Sequence, residues 1–271
     1  MKKVIDAGAL RSDELFNFLS GSTQNIAVIT DYAQIESFKG NGMINGQNSL
    51  RILAQFQQQI MVLRPSYEIA ELKPRSKGLH QRLVDQKHSA EFGLYCKIMV
   101  DELIPREVLE YQAQRKQHLA ENRLGQIEDQ AEEIRLGMTK LFSHYPPDQL
   151  KRIRSGELIS DAFADHILAD ILACTAIYFR KTVGDRPLPS PSGIFFSIQF
   201  RFALCSYVLA LKWAGDCGHE TVSTARLRND FIDATYAAYA TFFDGLITKD
   251  NKLSEVYSFS RWLLNNAFEI S

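Results

Sequence analysis

Two short, β-branched apolar runs near the start of the chain, each stopped abruptly, constrain the fold more than any other feature. Residues 25–30 read NIAVIT and end at Asp31, and residues 60–63 read IMVL and end at Arg64-Pro65. Runs of this kind suit strands buried on both faces of a parallel sheet. The chain between them predicts a helix from Tyr32, a loop over GNGMINGQNS, whose glycines and asparagines break regular structure, and a helix capped by Ser49. Ser66 is positioned to cap the short helix SYEIAEL, which Pro74 closes. Near the other end, the helical stretch NDFIDATYAAYATFF leads into a third strand, GLIT at 245–248, with Asp250 close behind. Strands alternating with helices predict an α/β fold with a central parallel sheet.

The middle of the chain has another character. Residues 81–219 contain almost nothing strand-like, and EVLEYQAQRKQHLAENRLGQIEDQAEEIRL predicts one long, charged helix. The expected organisation is therefore an α/β core from 1–80 and 220–271, interrupted by a helical insertion over 81–219. With 45% hydrophobic and 23% charged residues, the chain is neither disordered nor fibrous. Its 31 basic and 32 acidic residues argue against a generic basic nucleic-acid coat, while leaving room for an enzyme with a local basic patch. The cysteines Cys96, Cys174, Cys205 and Cys217 form no CxxC pair and read as reduced core residues. Charged residues from Asp6 to Glu14 stand where a secretory signal would be apolar, and Arg201 interrupts the longest apolar run. A cytoplasmic protein with no membrane partner is expected.

The acids stand at comparable places. Asp31 follows the first of the apolar runs, Glu71 lies on the helix after the second, and Asp250 lies two residues beyond the third. In an open parallel sheet the carboxyl ends of the strands share one edge, where ligand sites form. Asp233 is expected to open the helix that leads to the third strand, with Asp230 as its N-cap or as a ligand to a second ion. Each acid alone would serve equally well to end a strand or cap a helix. Asp161, Asp165, His166 and Asp170 read as a solvated helix face, and Cys217 with His219 lacks the second pair a structural zinc site needs.

Taken together, VITD at 28–31, RPSYEIAEL at 64–72 and DFIDATYAAYATFFDGLITKD at 230–250 resemble a PIN-domain nuclease. In that family an acid follows the first strand and a glutamate sits on a helix after the second. A third acid opens a helix with small residues four and seven positions on, here Ala237 and Ala240, and a Thr-x-Asp follows the next strand. The resemblance implies a PIN-like three-layer core in which Asp31, Glu71, Asp233 and Asp250 are the catalytic acids and hold Mg²⁺ or Mn²⁺. Oxygen-only ligands suit those ions better than zinc. It implies in-line hydrolysis of RNA phosphodiesters by an endoribonuclease of toxin or defence type, with Thr248 orienting Asp250 or a bound water. Lys73, Arg75, Arg228 and Lys249 would hold phosphates beside the scissile bond. The helical insertion would select RNA, bind a protein inhibitor or self-associate. A catalytically silent PIN-like scaffold and a structure-specific DNA nuclease are the alternatives.

Overall fold

The computed structural model describes residues 1–142, 145–146, 148, 152, 161–216, 224–268 and 270. Cys217 and His219 lie outside them. The chain divides into two compact units, one of residues 1–69, 78–125 and 242–254, the other of 70–77, 126–241 and 255–271.

The first unit is built on a four-stranded, all-parallel sheet in the order β3-β2-β1-β4, so the chain is α/β. The strands are β1 (Lys2–Ile5), β2 (Ile26–Ile29), β3 (Ile60–Val62) and β4 (Gly245–Ile247). β1 corrects the strand count taken from the sequence, because NIAVIT is the second strand of the sheet, not the first. Only Val4 and Ile5 of β1 are fully buried. The lysines before them hide the strand, although Lys3 lies along the fold with its ammonium 5.2 Å from the ring of Phe18.

Helices α1 (Asp13–Ser20), α2 (Asp31–Ser37), α3 (Gly42–Gln55), α4 (Ser66–Glu71), α5 (Leu79–Leu83), α6 (Gln86–Asp101) and α7 (Arg106–Phe142) follow in chain order. Ser12 caps α1 by accepting from the Leu15 amide at 3.1 Å, and Thr30 caps α2 by accepting from Ala33 at 3.0 Å. The expected glycine-rich loop is instead the first half of α3. Asn41 caps it, and its glycines are needed for packing: a Cβ on Gly46 would meet the Phe38 ring at 2.5 Å, and one on Gly42 would meet the Ala113 carbonyl at 3.0 Å. Close approach of neighbours has overridden weak helix propensity there.

The buried Gln59 knots the sheet's lower end. Its amide nitrogen lies 2.9 Å from the Leu19 carbonyl, 2.8 Å from that of Ser22 and 2.8 Å from that of Asn25. Gln59→Leu strands those acceptors in a dry environment and is expected to cost about 2–3 kcal/mol in urea unfolding. A loss below about 0.5 kcal/mol would show that water replaces the amide.

The second unit is helical among its described residues: α8 (Asp161–Val183), α9 (Pro191–Ile194), α10 (Ile198–Asp216), α11 (Thr224–Ala240) and α12 (Asn251–Trp262, of which 255–262 belong here). α10 packs on α8 and on α11, with Phe200, Leu204, Cys205 and Tyr207 fully buried on it. No helix among the described residues is long and apolar enough to cross a membrane. Arg201, within the long apolar run, is buried and donates from Nε to the Phe195 carbonyl at 2.9 Å. Burial lowers its pKa to about 10.

Candidate functional site

Because the sheet is parallel, everything that follows a strand gathers at one edge of the first unit. Asp6 follows β1, Asp31 follows β2, Ser66 follows β3, and Thr248 and Asp250 follow β4. The β1–β4 pair is locked in register, Ile5 opposite Ile247, and the Asp6 amide donates to the Ile247 carbonyl at 3.1 Å. This brings Asp6 against the Thr-x-Asp turn. Thr248 Oγ1 donates to Asp6 Oδ2 at 2.9 Å and accepts from the Asp250 amide at 3.0 Å. Asp250 Oδ1 accepts from the Leu253 amide at 3.0 Å, capping α12.

The electrostatics of this corner are unfavourable for an isolated carboxylate. The Asp6 pKa is raised above its ordinary value, first by burial and then by the negative charge of Asp250, against the lowering effect of its bonds from Thr248 and the backbone at Ala7 and Gly8. A half-buried carboxylate facing a second one is a natural place for a cation.

Asp31 is held differently. Its Oδ1 accepts from the Tyr32 amide at 3.0 Å, and its Oδ2 accepts from the amide of Ser66 at 2.9 Å and from its hydroxyl at 2.5 Å. The buried Asp31 therefore ties the end of β2 to the start of α4, a contact that orders two neighbouring strand ends. It follows the second strand and not the first, and Glu71 stands after the third and not the second. Glu71 is exposed at the end of α4 and falls in the second unit with Lys73 and Arg75, also exposed.

Asp230, Asp233 and Arg228 likewise belong to the second unit. α11 begins at Thr224, so neither acid opens it or caps it as the sequence led one to expect. Asp230 is fully buried and accepts from Trp213 Nε1 at 2.8 Å, whereas Asp233 on the same helix is half-buried. Tyr236 and Tyr239 lie in the core. Asp244, before β4, is a turn residue that accepts from the Lys2 amide at 2.7 Å. Lys249 is exposed between Thr248 and Asp250.

Two acids escaped the sequence reading. Asp6 lay behind an unrecognised strand, although VID at 4–6 repeats the apolar-apolar-acid ending of VITD. Glu36, half-buried on α2, lay inside a helix already assigned to Asp31. Among the described residues no group of three or more His, Cys, Asp and Glu side chains converges closely enough to hold a metal ion. The close constellation is thus Asp6, Thr248 and Asp250. No family model, curated protein or solved structure matches the chain.

Proposed function

We propose that this chain is a divalent-cation-dependent phosphodiesterase acting on RNA, with Asp6 and Asp250 at the heart of its acidic centre. The observation that carries the reading is the Asp6–Thr248–Asp250 corner, in which two carboxylates crowd the carboxyl edge of a parallel sheet at an electrostatic cost. The resemblance to PIN-domain nucleases supports it, and counting strands from β1 moves two of its positions. The acid after the first strand becomes Asp6, and the glutamate on the helix after the second becomes Glu36. Asp250 keeps the role the resemblance gives it, and Asp31 becomes the residue that holds the neighbouring loop.

The donor set fits a hard cation, since it consists of carboxylate oxygens and one hydroxyl with no thiolate or imidazole. Asp6 and Asp250 would hold Mg²⁺ or Mn²⁺, with Glu36 as a further candidate carboxylate. A bound ion of this kind supplies an activated water and neutralises charge on the phosphate. Thr248 does the positioning: one hydroxyl donates to Asp6 and accepts from the backbone of Asp250, fixing the spacing of the two acids. The cap bond to Leu253 restrains Asp250 through Oδ1 and leaves Oδ2 for a ligand. Lys249 offers a phosphate contact next to the acids.

Mn²⁺-dependent cleavage of mixed single-stranded RNA and DNA tests the proposal. Cleavage of RNA, with DNA spared, is the expected result. Equal cleavage of both points to a DNA or general nuclease. Absence of cleavage together with no Mn²⁺-induced rise in melting temperature would leave a silent scaffold, and a role in defence or toxicity would fall with it.

A further inference from the structure

The carboxyl edge of the sheet continues past the acids. In the strand order β3-β2-β1-β4, the end of β3 lies about 10 Å from that of β1 and about 14 Å from that of β4. Just beyond β3 stand an aromatic ring and a guanidinium. Tyr67, the second residue of α4, is 63% exposed, a large fraction for a side chain with so much apolar surface. Its backbone is nonetheless held in place, because the preceding Ser66 binds Asp31 through both its amide and its hydroxyl. Tyr67 Oη donates to Glu68 Oε1 at 3.5 Å, and Glu68 Oε2 accepts from Arg64 Nη1 at 3.3 Å. Arg64 is fixed in turn to α5, its Nε donating to the Arg82 carbonyl at 3.1 Å and its amide to that of Leu83 at 2.9 Å. Arg64 Nη2 makes no hydrogen bond among the described residues.

These side chains do little for the fold. An exposed ring buries little apolar area, and a half-exposed ion pair one helical turn apart stabilises weakly. They offer instead a flat face that suits a nucleobase and, beside it, a donor that suits a phosphate oxygen. Arg64 also neutralises Glu68, so the ring is not flanked by an uncompensated carboxylate. At the other end of the edge Lys249 is exposed after β4. A single strand laid across the strand ends, from β4 to β3, therefore meets a cation, the two acids, and then the ring with its guanidinium.

Resting on the phosphodiesterase reading above, we propose that Tyr67 and Arg64 form a nucleotide subsite of that centre. The ring stacks on an unpaired base flanking the scissile bond on the β3 side, and Arg64 Nη2 donates to a neighbouring phosphate. Every base has a face to stack, so the subsite selects single-stranded RNA over duplex without selecting sequence.

The test measures binding apart from cleavage. A fluorescein-labelled single-stranded RNA about eight nucleotides long is titrated with the metal-free full chain at low salt and followed by fluorescence anisotropy. Tyr67→Ala is expected to weaken binding about tenfold, and Tyr67→Phe, which keeps the ring, by less than about twofold. Arg64→Gln should reduce the slope of log Kd against log salt by about 0.7, the loss of one phosphate contact to a single strand. In Mn²⁺-dependent cleavage Tyr67→Ala should raise KM and leave kcat nearly unchanged. Equal affinity of wild type and a folded Tyr67→Ala would overturn the subsite, as would Tyr67→Phe binding as weakly as Tyr67→Ala, or no binding by wild type. Cleavage by wild type would in the first two cases leave the phosphodiesterase reading in place. Tyr67-dependent binding without any cleavage would uphold the subsite as an RNA contact and remove the phosphodiesterase reading.

Discussion

Asp6→Asn is expected to raise the melting temperature of the metal-free protein at pH 7 while lowering Mn²⁺-dependent RNA cleavage by at least about 100-fold. The two effects share one cause. Burial and the charge of Asp250 raise the folded-state pKa of Asp6 above its ordinary value, so the native protein holds this proton to a higher pH than the unfolded chain does. The stability linked to that proton is fully present below about pH 3.8 and is lost as pH rises through the folded value. At neutral pH the ionised carboxylate is a cost that the proposed cation would offset. Asparagine removes the cost, can still accept from Thr248, and forfeits the cation. A gain of about 1–3 °C without metal is the expected size, since Asp6 is partly open to solvent. The Mn²⁺-induced rise in melting temperature expected of the wild type should disappear in the variant. Cleavage that survives Asp6→Asn, in a variant that still folds, would remove Asp6 from the centre.

Asp250→Asn is the natural companion, since asparagine still caps a helix and should leave the fold nearly unchanged while reducing cleavage to the same degree. Asp31→Asn separates the two strand counts. If Asp31 holds the Ser66 loop, its substitution weakens two hydrogen bonds and lowers stability by about 1–2 kcal/mol, with a smaller effect on cleavage than at Asp6. A catalytic loss at Asp31 as deep as that at Asp6, with stability intact, would return Asp31 to the centre.

How far the sequence could lead is clearest at these residues. NIAVIT, IMVL and GLIT were legible as strands because they are short apolar runs stopped by turn residues, and the shared direction of their strands places Asp31 and Asp250 at one edge. KKVI was not legible, because two lysines precede two apolar residues and the strand gains its order from neighbours on both sides. Missing it displaced the strand numbering by one and with it the choice between Asp6 and Asp31. Asp233 was singled out by its spacing to Ala237 and Ala240, although α11 begins well before it. Asp230 was ambiguous for a physical reason: its partner, Trp213 Nε1, lies on another helix, and no local pattern announces it. The helix over 42–48 was read as a loop because local propensity favours one there, and only packing against Phe38 and Ala113 reverses that preference.

Gly93→Ala should cause a large loss of stability, about 3 kcal/mol, from the addition of a single methyl group. Gly93 lies in the middle of α6, where an exposed glycine would be a mild liability that alanine relieves. Here a Cβ would stand 2.6 Å from the Gln57 carbonyl oxygen, 2.9 Å from its Cβ and 3.0 Å from its Cα. Most of these atoms are backbone, so no rotamer change clears them, and the turn at Gln57–Gln59 leads directly into β3. Either α6 must move outward, or the turn must shift and carry Gln59 away from the carbonyls of Leu19, Ser22 and Asn25. Gly137→Ala, on α7, provides the opposite case. Nothing among the described residues lies within 4 Å of the added carbon, so the substitution should stabilise by about 0.5–1 kcal/mol through helix propensity alone. Equilibrium urea unfolding of the two variants reads both signs in one experiment. A Gly93→Ala protein as stable as wild type would mean that α6 does not pack against the Gln57 turn, and the support of β3, and of the loop that Asp31 holds beyond it, would then need another source.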